Sequence, residues 1–345
     1  SIIASPNFEL EVINYESMHK VSRKGWDLIV LDEAHGLGAM PKPSKRAKNV
    51  KEFIFWNDPY IILLSGTPTP ESYAQMYHQV YAIPNNPFYQ YPNFYNFARD
   101  YITVVKKVIG NNRYSNCYKR GSIDILNVMK PYTISKTQKE AGFDVEIKEH
   151  VLEVDMDDQT MKLIKRLRRD RVIMGSKEVV LADTGIKLMS KIHQMCSGTV
   201  KFESGKAMTL NTKKADFIFN HFDGKKIAIF YKFKQELKAL QQVFGDTLCT
   251  ELDDFNGTDK HIALQIVSGR EGITLREADV LVYYNIDFSA TSYWQSRDRM
   301  TTKNRLKNDV YWIFSKGGIE KKIYKAVQEK RDYTLSHFKR DLLNL

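Results

Sequence analysis

Short apolar runs alternate with amphipathic helical patterns along most of the chain. Early on, DLIVL at residues 27–31 and YIILL at residues 60–64 have the length and composition of strands that are buried on both faces. Later runs of the same kind are KIAIFY, HIALQIVS, ADVLVYY and VYWIFS, and a helical pattern such as KQELKALQQVF lies between two of them. Strands that alternate with helices predict an α/β fold with parallel sheets.

This alternation is lost over residues 138–150. We therefore predict two domains, at residues 1–145 and 146–345. Just beyond the boundary, VEIKEHVLEVDM alternates like a strand, and DDQTMKLIKRLRRDRVI is typical of a helix that Asp157 or Asp158 caps.

Two other stretches have distinct patterns. Residues 83–97 are rich in Pro, Asn and aromatics, which predicts irregular structure. We expect the aromatic side chains there, Phe88, Tyr89 and Tyr91, to pack rather than to stack on bases. Residues 319–342 predict a long helix near the end of the chain.

Composition limits the function classes. Hydrophobic residues make up 43% of 345, enough for two cores, yet no apolar run approaches the ~20 residues of a membrane span. No signal peptide is evident, and three widely spaced cysteines fit a reducing compartment. We therefore expect a cytoplasmic protein without a membrane partner. The net charge of +11 favours a polyanionic partner, of which nucleic acid is the commonest.

Asp32 and Glu33 follow the first apolar run directly. Two adjacent carboxylates at the end of a buried strand are costly unless a positive charge lies against them. A magnesium ion that carries a nucleotide would supply that charge, with Asp32 in the metal's shell and Glu33 beside the attacking water. The alternative is a helix cap formed by Asp32 with an incidental neighbour.

Three later motifs are candidates for the same chemistry, and the first of them lies where a ligand of a parallel sheet would bind, beyond a strand end. Ser65-Gly66-Thr67-Pro68 follows the second run, although Thr67 as a helix cap before Pro68 explains it equally well. Residues 267–285 place Gly272 and Thr274 in a turn, where glycine lets backbone approach a phosphate, although an ordinary glycine-rich turn is the commoner explanation of such a stretch. Residues 293–305 contain Gln295, Arg297, Asp298 and Arg299. The two arginines would complete a nucleotide site as arginine fingers, or the segment forms a solvated helix face on which Asp298 pairs locally.

Two basic runs, at residues 41–51 and 162–171, could follow a phosphate backbone. Charge runs are more often only solvated faces. In the first run the candidate nucleic-acid contacts are Lys42, Lys45, Arg46 and Lys48.

Taken in order, Asp32-Glu33-Ala34-His35, Ser65-Gly66-Thr67-Pro68, Gly272-Ile273-Thr274-Leu275 and Gln295 with Asp298-Arg299 resemble the motifs of superfamily 2 helicases. The flanking sequences are most similar to the Swi/Snf-like branch of double-stranded DNA translocases. DEAHGLGAMPKPSKRAKNVK resembles its acidic box and basic segment, and SKGGIEKKIYKAV resembles its terminal helix. The resemblance extends from about Val12 to Gln328.

The resemblance implies two RecA-like parallel-sheet domains, with ATP and Mg²⁺ in the cleft and duplex DNA across both. It makes Asp32 the metal residue and Asp32, Glu33 and Arg299 the catalytic ones. The resemblance also implies two further groups of residues. Those expected to bind the nucleotide are His35, Gly272, Gln295 and Arg297. Those expected to couple ATP hydrolysis to DNA contact are Ser65, Thr67 and Thr274.

The chain departs from the family pattern in three respects. No G-x-x-x-x-G-K-[ST] phosphate-binding loop occurs, since Gly205-Lys206 and Gly224-Lys225 precede neither Ser nor Thr. We expect this chain to begin inside the first domain, so that a missing N-terminal segment or a protein partner supplies the loop. The family's second arginine position holds Thr302, for which Arg305, Lys303 or Arg297 would substitute. The short second domain suggests a pared-down, viral form, acting in host-cell cytoplasm.

The sequence therefore predicts an ATP-dependent duplex-DNA translocase or helicase core that lacks its phosphate-binding loop and is inactive alone. One alternative is an RNA helicase, or the motor of a restriction or repair assembly. The other is a non-catalytic module that binds nucleic acid and regulates a partner.

Overall fold

The computed structural model describes residues 2–5, 7–21, 25–66, 68–108, 114–135, 140, 146–266, 273–289, 292–293, 296 and 307–329. The chain divides into two compact units, Ser1–Ser135 and Lys136–Leu345. The predicted boundary after residue 145 lies slightly further along the chain, in a stretch of which little is described. The assignment of the two units to two motor domains remains a prediction.

The first unit contains short elements. Its strands are β1 (Ile2–Ser5), β2 (Phe8–Glu11), β3 (Leu28–Leu31), β4 (Tyr60–Leu63), β5 (Val105–Val108) and β6 (Tyr114–Cys117). Its α-helices are α1 (Lys45–Asn57), α2 (Met76–Gln79), α3 (Phe94–Tyr101) and α4 (Asp124–Met129). The 3₁₀ turns are Tyr15–Lys20, Ala34–Leu37, Tyr73–Gln75 and Lys130–Tyr132.

The two apolar runs of this unit form the parallel pair β3–β4, in a register that sets Leu31 opposite Leu63. One face of the pair packs against α1. This helix begins after Ser44, whose hydroxyl accepts a hydrogen bond from the Ala47 amide. Its buried residues recur at helical spacing: Ala47, Val50 and Ile54.

The other face of the β3–β4 pair is exposed, which contradicts the expectation that these strands are buried on both faces. Leu28 and Val30 are 49% and 50% exposed, and Ile62 is 45% exposed. Because successive side chains of a strand point to opposite faces, covering one face leaves every second residue open. Within the described residues, the α1 side is the covered one, so an apolar run does not by itself show how many faces are buried.

The aromatic stretch at residues 83–97 is only partly irregular. Turns continue to Pro92, and α3 then begins, with the Asn93 side chain accepting a hydrogen bond from the Asn96 amide. Phe97 is fully buried and packs edge-on against Phe88 at 5.0 Å between ring centroids. The prediction that these aromatics pack is confirmed for Phe88 and Tyr91, which belong to or lie against one buried cluster, and is wrong for Tyr89, which is 69% exposed. The prediction of irregular structure throughout was also wrong, because local composition concealed the helix cap.

The second unit is larger. Its strands are β7 (Glu146–Val154), β8 (Val172–Met174), β9 (Val179–Leu181), β10 (Thr199–Lys201), β11 (Ala207–Thr209), β12 (Ile227–Tyr231), β13 (Leu248–Cys249), β14 (His261–Gln265), β15 (Val280–Tyr283) and β16 (Lys307–Ser315). Its helices are α5 (Asp158–Asp170), α6 (Gly185–Cys196), α7 (Lys213–His221), α8 (Lys234–Phe244), α9 (Leu252–Gly257) and α10 (Glu320–Gln328). No helix in the described part of the chain is both long and apolar enough to cross a bilayer.

A six-stranded sheet forms the centre of this unit, in the order β13-β14-β12-β15-β16-β7. Every neighbouring pair in it is parallel. Strand β12 is buried along its whole length, and apolar clusters cover both faces of the sheet. The predicted α/β class with a parallel sheet is confirmed here. The capped helix is also confirmed, with Asp157 as the cap and α5 as the helix.

A buried ion pair joins the elements at one end of this sheet. Lys214 of α7 and Glu320 of α10 lie 2.9 Å apart, and both side chains are 0% exposed. Lys214 also donates to the Tyr284 carbonyl after β15, and Glu320 accepts from the Ser315 amide at the end of β16. These contacts tie both helices to the ends of two central strands.

We expect the substitution Lys214→Ala to lower the free energy of unfolding by about 3–5 kcal/mol, because it leaves the Glu320 carboxylate buried without its counter-ion. Urea denaturation followed by tryptophan fluorescence measures the change. Lys213→Ala is the matched control, since Lys213 precedes Lys214 on α7 and is exposed. Equal losses in the two variants would contradict the role of the pair.

Candidate functional site

The carboxyl ends of β3 and β4 bring the first two sequence motifs together. The Leu64 amide donates to the Leu31 carbonyl, and the Ala34 amide donates to the Leu64 carbonyl, both at 2.9 Å. These bonds extend the parallel pairing past the strands themselves. The residues that follow each strand, Asp32-Glu33 and Ser65, are therefore neighbours at one edge.

Glu33 makes a sharp turn directly after the strand. Its backbone is left-handed, with φ 48° and ψ 44°, a conformation that residues with a Cβ adopt infrequently. The Asp32 side chain supports this turn by accepting a hydrogen bond from the Glu33 amide at 2.9 Å. The 3₁₀ turn Ala34–Leu37 begins at once, and its buried residues Ala34 and Leu37 anchor the segment.

His35 connects the acidic pair to the second strand end. Its Nδ1 lies 3.0 Å from a Glu33 carboxylate oxygen and 3.2 Å from the Ser65 hydroxyl. The His35 side chain is only 12% exposed, whereas that of Glu33 is 34% exposed. The histidine therefore holds the Glu33 carboxylate from the protein side while the carboxylate remains accessible to solvent.

Asp32 is exposed and lies at the strand end. Magnesium is typically held by one or two carboxylates together with water and phosphate oxygens, so the exposed Asp32 carboxylate with Glu33 beside it fits such an ion. Within the described residues there is no group of three or more His, Cys, Asp or Glu side chains suited to holding a metal. A metal at Asp32 would thus depend on the nucleotide for further ligands.

Tyr15 supports the acidic pair and was not predicted from the sequence. Its hydroxyl donates to the Asp32 carbonyl at 2.7 Å. Burial, with the negative charges of Asp32 and Glu33, raises the pKa of Tyr15 to about 12 against the opposing effect of Arg46. The phenol therefore remains a hydrogen-bond donor at neutral pH. Tyr15 and Asp32 are 17 positions apart, and no local pattern marks that contact.

Arg46, predicted to contact nucleic acid, has partners within the protein. Its guanidinium pairs with Glu16 at 2.5 Å and lies 4.8 Å from the centroid of the Tyr15 ring. The Arg46 hydrogen bond is the main cause of a lowered pKa of Glu16. Arg46 thus braces the turn that carries Tyr15, and a DNA phosphate would compete with Glu16 for it.

The predicted basic contacts other than Arg46 are exposed, at or just before the start of α1: Lys42, Lys45 and Lys48. No acidic residue occupies the first turn of this helix. Cations are unfavourable at a helix N-terminus, where the backbone dipole is positive. Helix stability therefore does not explain this clustering, which is consistent with an anionic partner.

In the second unit, Thr274 is exposed and is followed by the buried Leu275. Thr67, Gly272, Gln295, Arg297 and Arg299 lie outside the described residues, so their predicted roles remain predictions.

A second polar group that the sequence reasoning missed lies at the carboxyl ends of β12 and β15. Lys232 pairs with Asp287, which also accepts hydrogen bonds from the Phe288 amide at 2.7 Å and the Ser292 hydroxyl at 3.1 Å. Burial opposes ionisation, but Lys232 and the hydrogen bonds outweigh it and hold the pKa of Asp287 below its ordinary value. A charged Asp287 therefore anchors the start of the segment that leads to Gln295.

Comparison with known proteins gives distant relatives. The chain is 20% identical, over an alignment of 365 positions, to the ISWI chromatin-remodeling complex ATPase ISW1 of Saccharomyces cerevisiae. The alignment takes in 94% of this chain but only 31% of that protein, so the chain spans about a third of its relative's length.

Two solved structures are also similar. The C-terminal part of a Fun30 ATPase domain shares 14% identity at a TM-score of 0.39, covering 56% of this chain and 92% of that one. The Sulfolobus solfataricus SWI2/SNF2 ATPase core in complex with dsDNA shares 17% identity at a TM-score of 0.36, covering 94% and 71%.

The family model supplies the firmer result. The model of the SNF2-related domain matches residues 8–214, which include both strand ends of the first unit and the start of the second. The match confirms the Swi/Snf resemblance, and the parallel sheet confirms the predicted α/β class. This chain belongs to the SNF2-related domain family.

Proposed function

We propose that the chain is the core of an ATP-dependent double-stranded DNA translocase. The observation that carries this proposal is the convergence of Asp32, Glu33, His35 and Ser65 at the joined ends of β3 and β4. An exposed acidic pair braced from behind by a histidine and a tyrosine suits a nucleotide-bound cation better than it suits a helix cap. Membership of the SNF2-related family supports the same reading.

Each residue of this cluster has a role in the proposal. Mg²⁺ with ATP would supply the transferable phosphoryl group and neutralise its charge. Asp32 would hold the ion, and Glu33 would orient and polarise the attacking water. His35 holds Glu33 in place and, through Ser65, links the acidic pair to the end of β4. That link is a direct route by which a change at the carboxylates would reach the segment after β4.

In this proposal Asp32 and Glu33 act on the metal ion and the water, so the triphosphate itself requires a separate phosphate-binding loop. Gly205-Lys206 lies in the turn between the paired strands β10 and β11, and Gly224-Lys225 lies just before β12. A phosphate-binding loop instead joins a strand end to a following helix and ends in Lys and Ser or Thr. We therefore propose that a segment carrying such a loop, in the same polypeptide or in a partner, completes the site.

For the polyanionic partner we propose duplex DNA. The net charge of +11 and the exposed Lys42, Lys45 and Lys48 provide a sequence-independent surface for phosphates. Nothing in the sequence suggests a base-reading helix, so we propose binding with little sequence preference. Stimulation of ATP hydrolysis by duplex DNA, but not by RNA, would support the proposal, and the reverse would favour an RNA helicase.

We expect DNA binding to weaken steeply with salt, because each lysine–phosphate contact releases counterions. In the triple variant Lys42→Ala, Lys45→Ala and Lys48→Ala, the slope of log affinity against log salt should fall by about one unit per lost contact, about three in all. Fluorescence anisotropy with a labelled duplex measures these slopes.

A control variant with the same change in net charge distinguishes direct phosphate contacts by these lysines from the effect of the protein's overall charge. It replaces three exposed lysines of the second unit, Lys225, Lys238 and Lys325, with alanine. A flat salt response in the unmodified chain would contradict DNA binding. Equal slopes for the two triple variants would contradict the assignment to residues 42–48.

A further inference from the structure

The helix α2 is short and fully buried. All four of its residues, Met76 to Gln79, are shielded from solvent. Met76 and Tyr77 belong to a buried cluster of the first unit that is rich in aromatic rings, among them Phe88, Phe94 and Phe97. Burying a polar side chain is unfavourable unless it is hydrogen-bonded. The partners of the two remaining residues, His78 and Gln79, therefore show what this helix holds in place.

His78 holds the segment that follows the acidic pair. Its Nδ1 lies 2.5 Å from the Ala39 carbonyl oxygen, and because a carbonyl can only accept, Nδ1 carries the proton. Burial lowers the pKa of His78 to about 4, so the ring is neutral at pH 7. The ring also stacks on Phe94, with centroids 5.4 Å apart and planes at 14°. Ala39 lies two residues beyond the 3₁₀ turn Ala34–Leu37, which contains His35.

Gln79 holds the segment that follows β4. Its side-chain amide donates a hydrogen bond to the Pro68 carbonyl, and the residue is only 3% exposed. Pro68 is the last residue of the motif 65–68, whose first residue, Ser65, bonds to His35. The two polar residues of α2 therefore bind one carbonyl in each of the segments that follow the two strand ends.

Gly38 shows how closely the first of these segments approaches the helix. A Cβ at this position would lie 2.8 Å from the Gln75 Cβ and 2.9 Å from the Gln75 carbonyl oxygen. A backbone oxygen cannot move aside as the end of a flexible side chain can, so only glycine fits here. Gln75 is itself fixed, because its side chain accepts hydrogen bonds from the Glu71 and Ser72 amides. The acidic segment therefore lies directly against the start of α2.

We propose that His78 and Gln79 are positioning residues that hold the turn after Glu33 and the motif 65–68 in one fixed arrangement. This inference rests on the proposed function, since the arrangement affects turnover only if the protein hydrolyses ATP. The bridge through His35 joins the two strand ends beside the carboxylates. Helix α2 adds a second connection further along both segments, and it is anchored in the aromatic-rich cluster. A shift of either segment relative to the other would break a buried hydrogen bond.

The structural half of the proposal can be tested on the 345-residue chain itself. Gln79→Met keeps the length of the side chain but removes the donor. We expect hydrogen–deuterium exchange in the peptide spanning residues 64–71 to become about fivefold to tenfold faster, the scale of one lost hydrogen bond. His78→Leu should do the same for residues 34–41. His78→Asn should restore slow exchange there, because its amide nitrogen can take the place of Nδ1. Mass spectrometry of proteolytic peptides measures these rates.

The matched control is Tyr77→Phe. It removes a hydrogen bond of 3.1 Å that the same helix makes to the Tyr91 carbonyl, in a different segment of the chain. Exchange in the peptides 34–41 and 64–71 should not change in this variant.

The catalytic half is tested in a polypeptide that also carries the phosphate-binding loop. We expect His78→Leu and Gln79→Met each to lower kcat for DNA-stimulated hydrolysis by about tenfold to a hundredfold, the scale of small misplacements, with KM for ATP nearly unchanged. His78→Asn should recover most of the turnover. A purely structural effect would not be rescued in this way, because asparagine packs against an apolar cluster less well than leucine does. Tyr77→Phe should hydrolyse ATP at the normal rate.

The outcomes separate the two claims. Unchanged exchange in His78→Leu and Gln79→Met, or an equal increase in Tyr77→Phe, overturns the positioning role whether or not the protein is an ATPase. Normal kcat in both variants, or no rescue by His78→Asn, overturns the catalytic consequence. Gln79→Met, which preserves side-chain volume, decides both halves if His78→Leu does not fold. If the unmodified polypeptide hydrolyses no ATP while exchange responds as expected, the proposed function fails and the positioning by His78 and Gln79 stands.

Discussion

Replacing Glu33 with glutamine should abolish DNA-stimulated ATP hydrolysis in a polypeptide that contains this chain and a phosphate-binding loop. Glutamine keeps the size of the side chain but cannot polarise water as a carboxylate does, and loss of such a group costs about 10²–10⁴-fold. ATP binding should persist, because Asp32 and the loop would still hold the nucleotide. Steady-state hydrolysis and nucleotide affinity, measured on one preparation, test the two halves of this expectation.

The matched control for this variant is Asp27→Asn, which neutralises an exposed carboxylate at the opposite end of β3. It should hydrolyse ATP at the normal rate. The 345-residue chain alone should bind ATP weakly and show no DNA-stimulated hydrolysis, because backbone amides, lysine and hydroxyl of the loop are missing from its sequence. Activity in the purified chain that Glu33→Gln removes would show this expectation to be wrong.

Arg299→Ala should lower turnover by roughly 10³-fold or more in the same loop-containing polypeptide, the scale on which lost arginine fingers act. Arg297 precedes it by two positions, and residues two apart on a helix point to different faces. On the helix that the sequence predicts here, only one of the two would reach the nucleotide, so we expect Arg297→Ala to cost far less.

Single-turnover hydrolysis at saturating ATP distinguishes these variants without interference from binding. Arg305→Ala should be included, since Thr302 occupies the position where the family has its second arginine. A larger loss from Arg297→Ala than from Arg299→Ala would contradict the assignment and would make Arg305 the next candidate for the remaining cationic role.

Much of the second unit could be predicted from the sequence because its central strands are short, apolar and bounded by helices. The pattern KQELKALQQVF corresponds to α8 in full, and the alternating run before residue 155 corresponds to β7. The open face of β3–β4 could not be predicted, since an apolar strand has the same composition whether one face or both are covered. Helix α3 was missed because its cap, Asn93, lies among turn-forming residues.

The residues of the candidate site also fall into those that the sequence could predict and those that it could not. Asp32, Glu33, His35 and Ser65 could be found because the motifs that contain them begin directly after recognisable strands, and parallel strands end at a common edge. Tyr15 and Asp287 could not, because their importance comes from contacts with residues 17 and 55 positions away. Contacts of that kind are set by tertiary structure and leave no periodic trace in the chain.

The position of β7 has a consequence for biosynthesis. Within the described sheet, the unit's first strand pairs with β16, its last, and with no other strand. During synthesis β7 therefore leaves the ribosome long before β16. The backbone N–H and C=O groups that later bond to β16 remain unpaired while the intervening strands are made. Pairing between strands so distant in sequence slows folding, and until it forms the unpaired edge of β7 can bond to strands of other chains. Nascent or truncated chains that stop before Ser315 should consequently depend on chaperones, whereas in the finished unit β16 pairs with this edge of β7.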